Sequence, residues 1–317
     1  MIDPIIFSFE IGDFTLTLHW YGVIIMAAIL IGAWLTDREI QRRGGPAEFI
    51  WDAIVWVIPA ALIGARLWYV LNATLGGSTY FTDQPGRILN LQEGGLHIFG
   101  GLLLGGLAAY WYARRHKVDW LLILDSLAPA ILISQALARP ANFINQELYG
   151  QPTDLPWGIS IDAINRLPQY NDLSQFPVDT TRFHPTFAYE MIWNLIFGGL
   201  LLWLGRKFSD KLKPGTIFAG WLIAAGVGRA IIETFRPDQP MIPGTILSYS
   251  RLIAILMAVL GVIWLLVRYE KIRLKFWKPG RSEYRIRPYG PALARARAEK
   301  VAAKKKSEKK PTKRRRR

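Results

Sequence analysis

The sequence predicts an all-α polytopic membrane protein with seven transmembrane helices, its N-terminus outside and its C-terminus cytoplasmic. Seven apolar segments near residues 20–36, 52–72, 96–113, 121–138, 185–204, 215–233 and 249–267 are the first reason. Each runs about 17 to 21 residues, which at roughly 1.5 Å per residue crosses a hydrocarbon core of about 30 Å. The second reason is the placement of charge. Residues 268–317 hold 21 Lys or Arg against 4 Asp or Glu, so residues 1–267 are nearly neutral and the strongly basic balance belongs to the tail. The third is the asymmetry of the loops. Segments 37–50, 113–119 and 205–213 carry 10 Lys or Arg in 30 residues, whereas 1–18, 73–94, 139–184 and 236–247 carry 5 in 98. Positive loops stay inside, which sets the orientation.

Two regions follow from this pattern. Residues 1–267 are expected to form the membrane domain, with an outward-facing cap rich in Pro, Asn and Asp over about 139–184, and 268–317 a basic, largely disordered cytoplasmic tail. Such a tail suits contact with anionic lipid. No aromatic interleaving accompanies its last residues, and no nucleic-acid partner is expected. The residues before the first segment hold no Lys or Arg, so a cleavable signal peptide is not expected. Trp20, Tyr21, Trp51, Trp56, Trp68, Tyr69, Trp111, Tyr112 and Trp157 fall near the predicted interfaces as a belt, among which Tyr21 stands out beside His19 at the outer entrance. The chain has no Cys, which excludes structural disulfides and a cysteine nucleophile of its own. Four His and no acidic pair at ligand spacing give no metal site, and no cofactor is expected.

Ionisable groups inside membrane spans cost several kcal/mol and mark functional sites. Here they are Arg66, Asp125, Arg139, Glu147, Arg229 and Glu233, with Arg236 and Arg251 alongside, nearly all at the outer ends of spans. Arg229 and Glu233 stand at i and i+4 and share a helix face, which allows a plain structural ion pair. The outward arginines nonetheless outnumber neighbouring acids. Unmatched guanidinium groups await an anion, and lipid phosphate is the anion every membrane supplies. Arg139 and Arg229 are the leading phosphate ligands by this argument. The glycine pairs at 94–95, 100–101 and 105–106 suit close helix packing or make room for a lipid, and His97 between them reads first as a packing residue. A transporter of an anionic substrate is the rival reading. It would need polar groups reaching the inner half and commonly an inverted repeat, neither of which is evident.

The stretch "RPANFINQELYGQPTDLPWG" at 139–158 resembles the signature of the prolipoprotein diacylglyceryl transferase family. In family order, "LHWYG" (18–22), "GARLWYV" (64–70), "EGGLHIFGG" (93–101), "HPTFAYE" (184–190) and "GRAIIETFRPD" (228–238) are similar too, so the resemblance spans about residues 15–267. It implies transfer of the diacylglyceryl group of phosphatidylglycerol to the lipobox cysteine of a prolipoprotein signal peptide, with a thioether formed and glycerol phosphate released in a bacterial cytoplasmic membrane. The substrate then brings the sulfur that this chain lacks. The resemblance places the family's arginines on Arg139 and Arg229, with Arg236 following, its asparagine on Asn142, its glutamate on Glu233 and its tyrosine on Tyr21. Asn145, Glu147 and Gly150 complete the signature, and Arg66 and His97 are expected among the substrate-binding residues. Some members carry a His directly before the glycine pair that ends the third motif, where this chain has Phe99. His97 lies two places away, about 200° around a helix, and cannot simply replace it. Ala225 departs likewise from a Tyr found in some members, and the thiol base is left between Glu147 and Glu233.

Overall fold

A computed structural model describes residues 3–11, 14–90, 94–273 and 281–286. It is helical apart from an N-terminal hairpin, and six of its helices are long and apolar enough to cross a membrane. These are α1 (Trp20–Arg42), α2 (Phe49–Leu75), α5 (Trp120–Ile144), α6 (Thr186–Lys207), α7 (Thr216–Ile232) and α8 (Tyr249–Arg268), with α3 (Tyr80–Asp83) a single turn. The seventh expected span is a helix too, α4 (Ile98–Arg115), but its four glycines and terminal Arg114 and Arg115 leave it less apolar than the other six. Large apolar side chains on these helices stay exposed, Val55 and Leu102 by about two-thirds, as lipid-facing surfaces require.

The all-α expectation needs one correction. Strands β1 (Ile5–Ile11) and β2 (Phe14–His19) pair antiparallel before α1, and the amide of Trp20 donates to the carbonyl of Pro4 at 3.0 Å. The physical reason is legible afterwards: "IIFSFEI" and "FTLTLH" alternate apolar and polar residues and are rich in β-branched and aromatic side chains.

The chain divides into two compact units. The first holds residues 1–36 and 123–284. Its core is Ala128, Leu132, Leu201, Ile217 and Ala224, fully or almost fully buried, with Phe197 and Trp221 packed against it. The segment after α5 has a core of its own in Tyr149, Ile161, Tyr170 and Phe183. Arg166 is buried there, its Nε donating to the carbonyl of Ile161 at 3.0 Å with its guanidinium over the Phe183 ring, so carbonyls and an aromatic face hold this cation, with no carboxylate partner among the described residues. The second unit holds residues 37–122 and 285–317, and α2 packs on α4 within it. That packing is intimate because Gly64 and Gly100 face each other: a Cβ on either would meet the other's carbonyl oxygen, at 2.3 and 2.1 Å.

Asp125 explains how α7 begins. It is fully buried on α5, yet its carboxylate accepts from the amides of Gly215 and Phe218, the latter at 2.8 Å, and so caps the N-terminus of α7 from a different helix. The Tyr284 hydroxyl donates to the same carboxylate at 2.7 Å, which ties the start of the tail to the bundle. The rest of the tail, 274–280 and 287–317, lies outside the described residues, and with it most of the region expected to be disordered. Asp125→Ala leaves two buried amides and a hydroxyl without acceptors. It is expected to lower stability by about 2–4 kcal/mol, read as a fall in the melting temperature of the detergent-solubilised chain. A melt superimposable on that of the unaltered chain would show that water replaces the cap.

Candidate active site

The end of α5 brings the signature together. Pro140 removes one backbone donor but does not stop the helix, which runs on to Ile144, so Arg139 and Asn142 stand three residues apart on its last turns rather than in a loop. Arg139 Nη1 donates to Asn142 Oδ1 at 3.1 Å, and Asn142 Nδ2 donates to Glu147 Oε1 at 2.8 Å. Asn142 is buried and its amide orientation is fixed by having a donor on one side and an acceptor on the other. The chain then turns sharply, with positive φ at Gln146 and Leu148. Gln146 holds the turn by exchanging two hydrogen bonds with Asp162, at 2.6 and 2.7 Å.

Gly150 is where this loop meets α6 and α7. Its amide donates to the carbonyl of His184, and the next amide, of Gln151, donates to that of Phe235, at 2.8 and 2.9 Å. A Cβ on residue 150 would stand 2.6 Å from the Phe235 oxygen and 2.8 Å from the His184 and Thr186 side chains, so only glycine allows the approach. Asn145 takes part through its backbone, donating to the carbonyl of Ala141.

Glu190 is the member the sequence did not single out. It forms an ion pair with Arg139 Nη2 from α6, 51 residues away, both side chains being more than four-fifths buried. Its signal was present: a lone acid inside an apolar helix, at the end of the motif "HPTFAYE". Ahead of it, Trp157 Nε1 donates to the Tyr189 hydroxyl at 2.7 Å, and that hydroxyl stands 3.0 Å from His184 Nδ1. Burial lowers the His184 pKa, which favours a neutral ring whose Nδ1 accepts the Tyr189 proton.

Arg229 and Glu233 do pair, at 3.0 Å, across the junction of α7 with a 3₁₀ turn over Glu233–Phe235. Glu233 is buried and saturated. It accepts from Ser248 at 2.8 Å and from Ser250 at 3.3 Å besides Arg229. Arg229 Nε also lies 3.0 Å from Ser250 Oγ, while both its terminal nitrogens are without partners among the described residues. Arg139 keeps an unpartnered, buried Nε. Arg139, Glu190 and Arg236 are all close enough to bear on the charge of Arg229. Two part-buried guanidinium groups, each tethered on one side and within electrostatic reach of the other, thus keep donors to spare, an arrangement able to take a phosphate.

Other expected site residues lie differently. Arg236 makes a bidentate pair with Asp238, at 3.1 and 2.8 Å. Burial alone would raise the Asp238 pKa, but the hydrogen bond and charge of Arg236 hold it below the usual carboxylate value. Tyr21 is exposed at the first turn of α1, with no hydrogen bond of its side chain to any described residue. Arg66 is in the second unit, where its guanidinium donates to the carbonyls of Arg87, Ile88, Gly94 and Gly95 at 2.6 to 3.2 Å and lies near the Tyr69 and Phe81 rings. Four of its five N–H groups are engaged by these carbonyls before α4, and the residue also lines a cavity of about 630 Å³ with Tyr69, Tyr80 and Phe81. His97 is in that unit as well, ahead of α4, stacked on Phe99 at 5.4 Å with its Nδ1 buried and unpartnered. Among the described residues no group of His, Asp or Glu could hold a metal ion.

The family model for prolipoprotein diacylglyceryl transferase matches residues 4–267. A phosphatidylglycerol–prolipoprotein diacylglyceryl transferase of Bifidobacterium longum subsp. infantis is 39% identical over 275 residues, covering 84% of this chain and 85% of the relative. Proteins of the same description from Chloroflexus aggregans and Enterococcus faecalis are 37% and 33% identical, covering 75% and 86% of this chain and 78% and 94% of their own. The signature helix, the paired arginines and the matched length agree, and the chain belongs to the prolipoprotein diacylglyceryl transferase family, a transferase of the first step of lipoprotein maturation.

Proposed function

We propose that Arg139 and Arg229 hold the phosphate of phosphatidylglycerol while its diacylglyceryl group passes to the thiol of a prolipoprotein cysteine. The observation that carries this reading is the pair of part-buried guanidinium groups with unused donors. In the transfer, the thiol loses its proton and sulfur attacks the glyceryl carbon that bears the phosphate. The carbon–oxygen bond breaks, its electrons stay on oxygen, and glycerol phosphate leaves. A phosphodiester with one negative charge thereby becomes a monoester carrying about two. Cations fixed beside that oxygen stabilise the transition state more than the bound lipid, which is the condition for catalysis rather than mere binding.

The other residues have supporting roles in this reading. Glu190 and Asn142 aim Arg139, and Glu233 with Ser248 and Ser250 aims Arg229. Glu147 is the better placed of the two thiol-base candidates. Glu233 has both oxygens occupied, whereas Glu147 accepts at Oε1 and its other oxygen has no partner among the described residues. A thiolate is the nucleophile the attack needs, and a partly buried carboxylate close to the phosphate site can receive the proton. Tyr21 would stand at the lipid entrance. The site end would face outward, with 139–184 as its cap and the tail against the anionic inner leaflet of the bacterial cytoplasmic membrane, where a lipobox cysteine arrives on its signal peptide.

Arg139→Ala is expected to reduce transfer by at least about 10²-fold, measured by mass spectrometry of a lipobox peptide incubated with phosphatidylglycerol and the purified chain. Arg139→Lys should recover part of the loss, because charge returns without the planar fork. Activity of Arg139→Ala equal to that of the unaltered chain would remove the arginine from the site. Glu147→Gln is expected to lower kcat by about 10²-fold with little change in the KM for lipid, and the defect should shrink as pH rises and the peptide thiol ionises unaided. A defect equal at every pH would make Glu147 a positioning group only.

A further inference from the structure

The loop between α7 and α8 closes, with Gln151, around a second polar cavity of about 270 Å³. Thr234, Arg236, Gln239, Ser248 and Arg251 line it, and Glu233 forms the wall towards Arg229. Two of its three charges are already matched, Glu233 by Arg229 and Arg236 by Asp238. Arg251 is not. Its side chain has no hydrogen bond or ion pair among the described residues, and its Nε is buried without a partner. It is also the third residue of α8, so its charge adds to the positive end of a 20-residue helix. A half-buried guanidinium with no acceptor and a helix dipole behind it is unfavourable until an anion arrives.

We propose that this cavity is the departure subsite for glycerol phosphate, gripped by Arg251, an inference that rests on Arg229 being a phosphate ligand. The wall is shared: Glu233 and Ser248 line the cavity, and Glu233 also holds Arg229. A phosphate released beside Arg229 therefore has a second cation across one layer of side chains. The gain of charge on leaving favours the move, because a doubly charged monoester is attracted to an unmatched guanidinium more than the singly charged lipid is. The lining fits a water-soluble product better than a lipid. Only Met241, Ile246 and Pro237 are apolar, too few for two acyl chains, whereas the side-chain amides of Gln151 and Gln239 offer donors and acceptors to a glycerol diol.

The test is product inhibition of the purified full-length chain, with transfer to a lipobox peptide followed at fixed phosphatidylglycerol while glycerol phosphate is added. Arg251→Gln is expected to raise the concentration for half-inhibition about tenfold, the loss of one charge-assisted contact, and by more than it raises the KM for phosphatidylglycerol. Arg251→Lys should fall between the two, and answers the same question if the Gln variant does not elute as a folded species. Superimposable inhibition curves would overturn the proposal. So would a raised lipid KM with unaltered product inhibition, which would assign Arg251 to the lipid head group instead. Absence of transfer by the unaltered chain would instead sink the catalytic reading, and equilibrium dialysis of radiolabelled glycerol phosphate would still decide whether Arg251 binds it.

Discussion

Everything at the site depends on keeping guanidinium groups charged and aimed at the end of an apolar bundle. A lone cation there is expensive and a fully matched one is inert. Arg139 and Arg229 occupy the ground between. Each is tethered by a single carboxylate, Glu190 or Glu233, and each retains nitrogen donors without partners. The carboxylates are themselves held, Glu233 by two serines of α8, so the tether fixes the direction of the cation as well as offsetting its charge. Arg66 and Arg236 show the contrast. Backbone carbonyls take up most donors of the first and a bidentate aspartate engages the second, so they hold loops.

That economy explains the loop architecture. Arg139 sits at the end of α5, Glu190 near the start of α6, Arg229 at the end of α7 and the serines at the start of α8. These ends meet because the backbone of Gly150 and Gln151 reaches both His184 and Phe235. The substitution-intolerant glycine of the signature is thus a spacing element. It sets how near the Arg139 helix stands to the element that carries Glu233.

How much of this was legible in the sequence differs residue by residue. The apolar lengths placed the helices, and the intramembrane charges picked out Arg139, Arg229, Glu147 and Glu233, because hydrocarbon makes a charge conspicuous. The hairpin of residues 5–19 was passed over because an amphipathic period of two is a weak signal beside long apolar runs. Arg66 looked like Arg139 in sequence, a single cation in an apolar span. What separates them is whether carbonyls from residues 87–95 fold back onto it, a non-local fact. Glu190 was hidden for the same reason, since its partner lies 51 positions away. Helix α5 also ran on past Pro140, which a local rule would have made its end.

The absent histidine before the glycine pair has a physical consequence. Phe99 stands in that place, and His97 stacks against it with its Nδ1 buried and without a hydrogen-bond partner. The need for a base does not vanish, because a cysteine thiol is mostly protonated near neutral pH. In the first unit three acids differ in how they are engaged: Glu190 by Arg139, Glu233 by three donors, and Glu147 by Asn142 at one oxygen, the other having no partner among the described residues. The carboxylate of Glu147 is placed by Asn142, which donates to one of its oxygens and itself accepts from Arg139, so the orientation of one group fixes the other two.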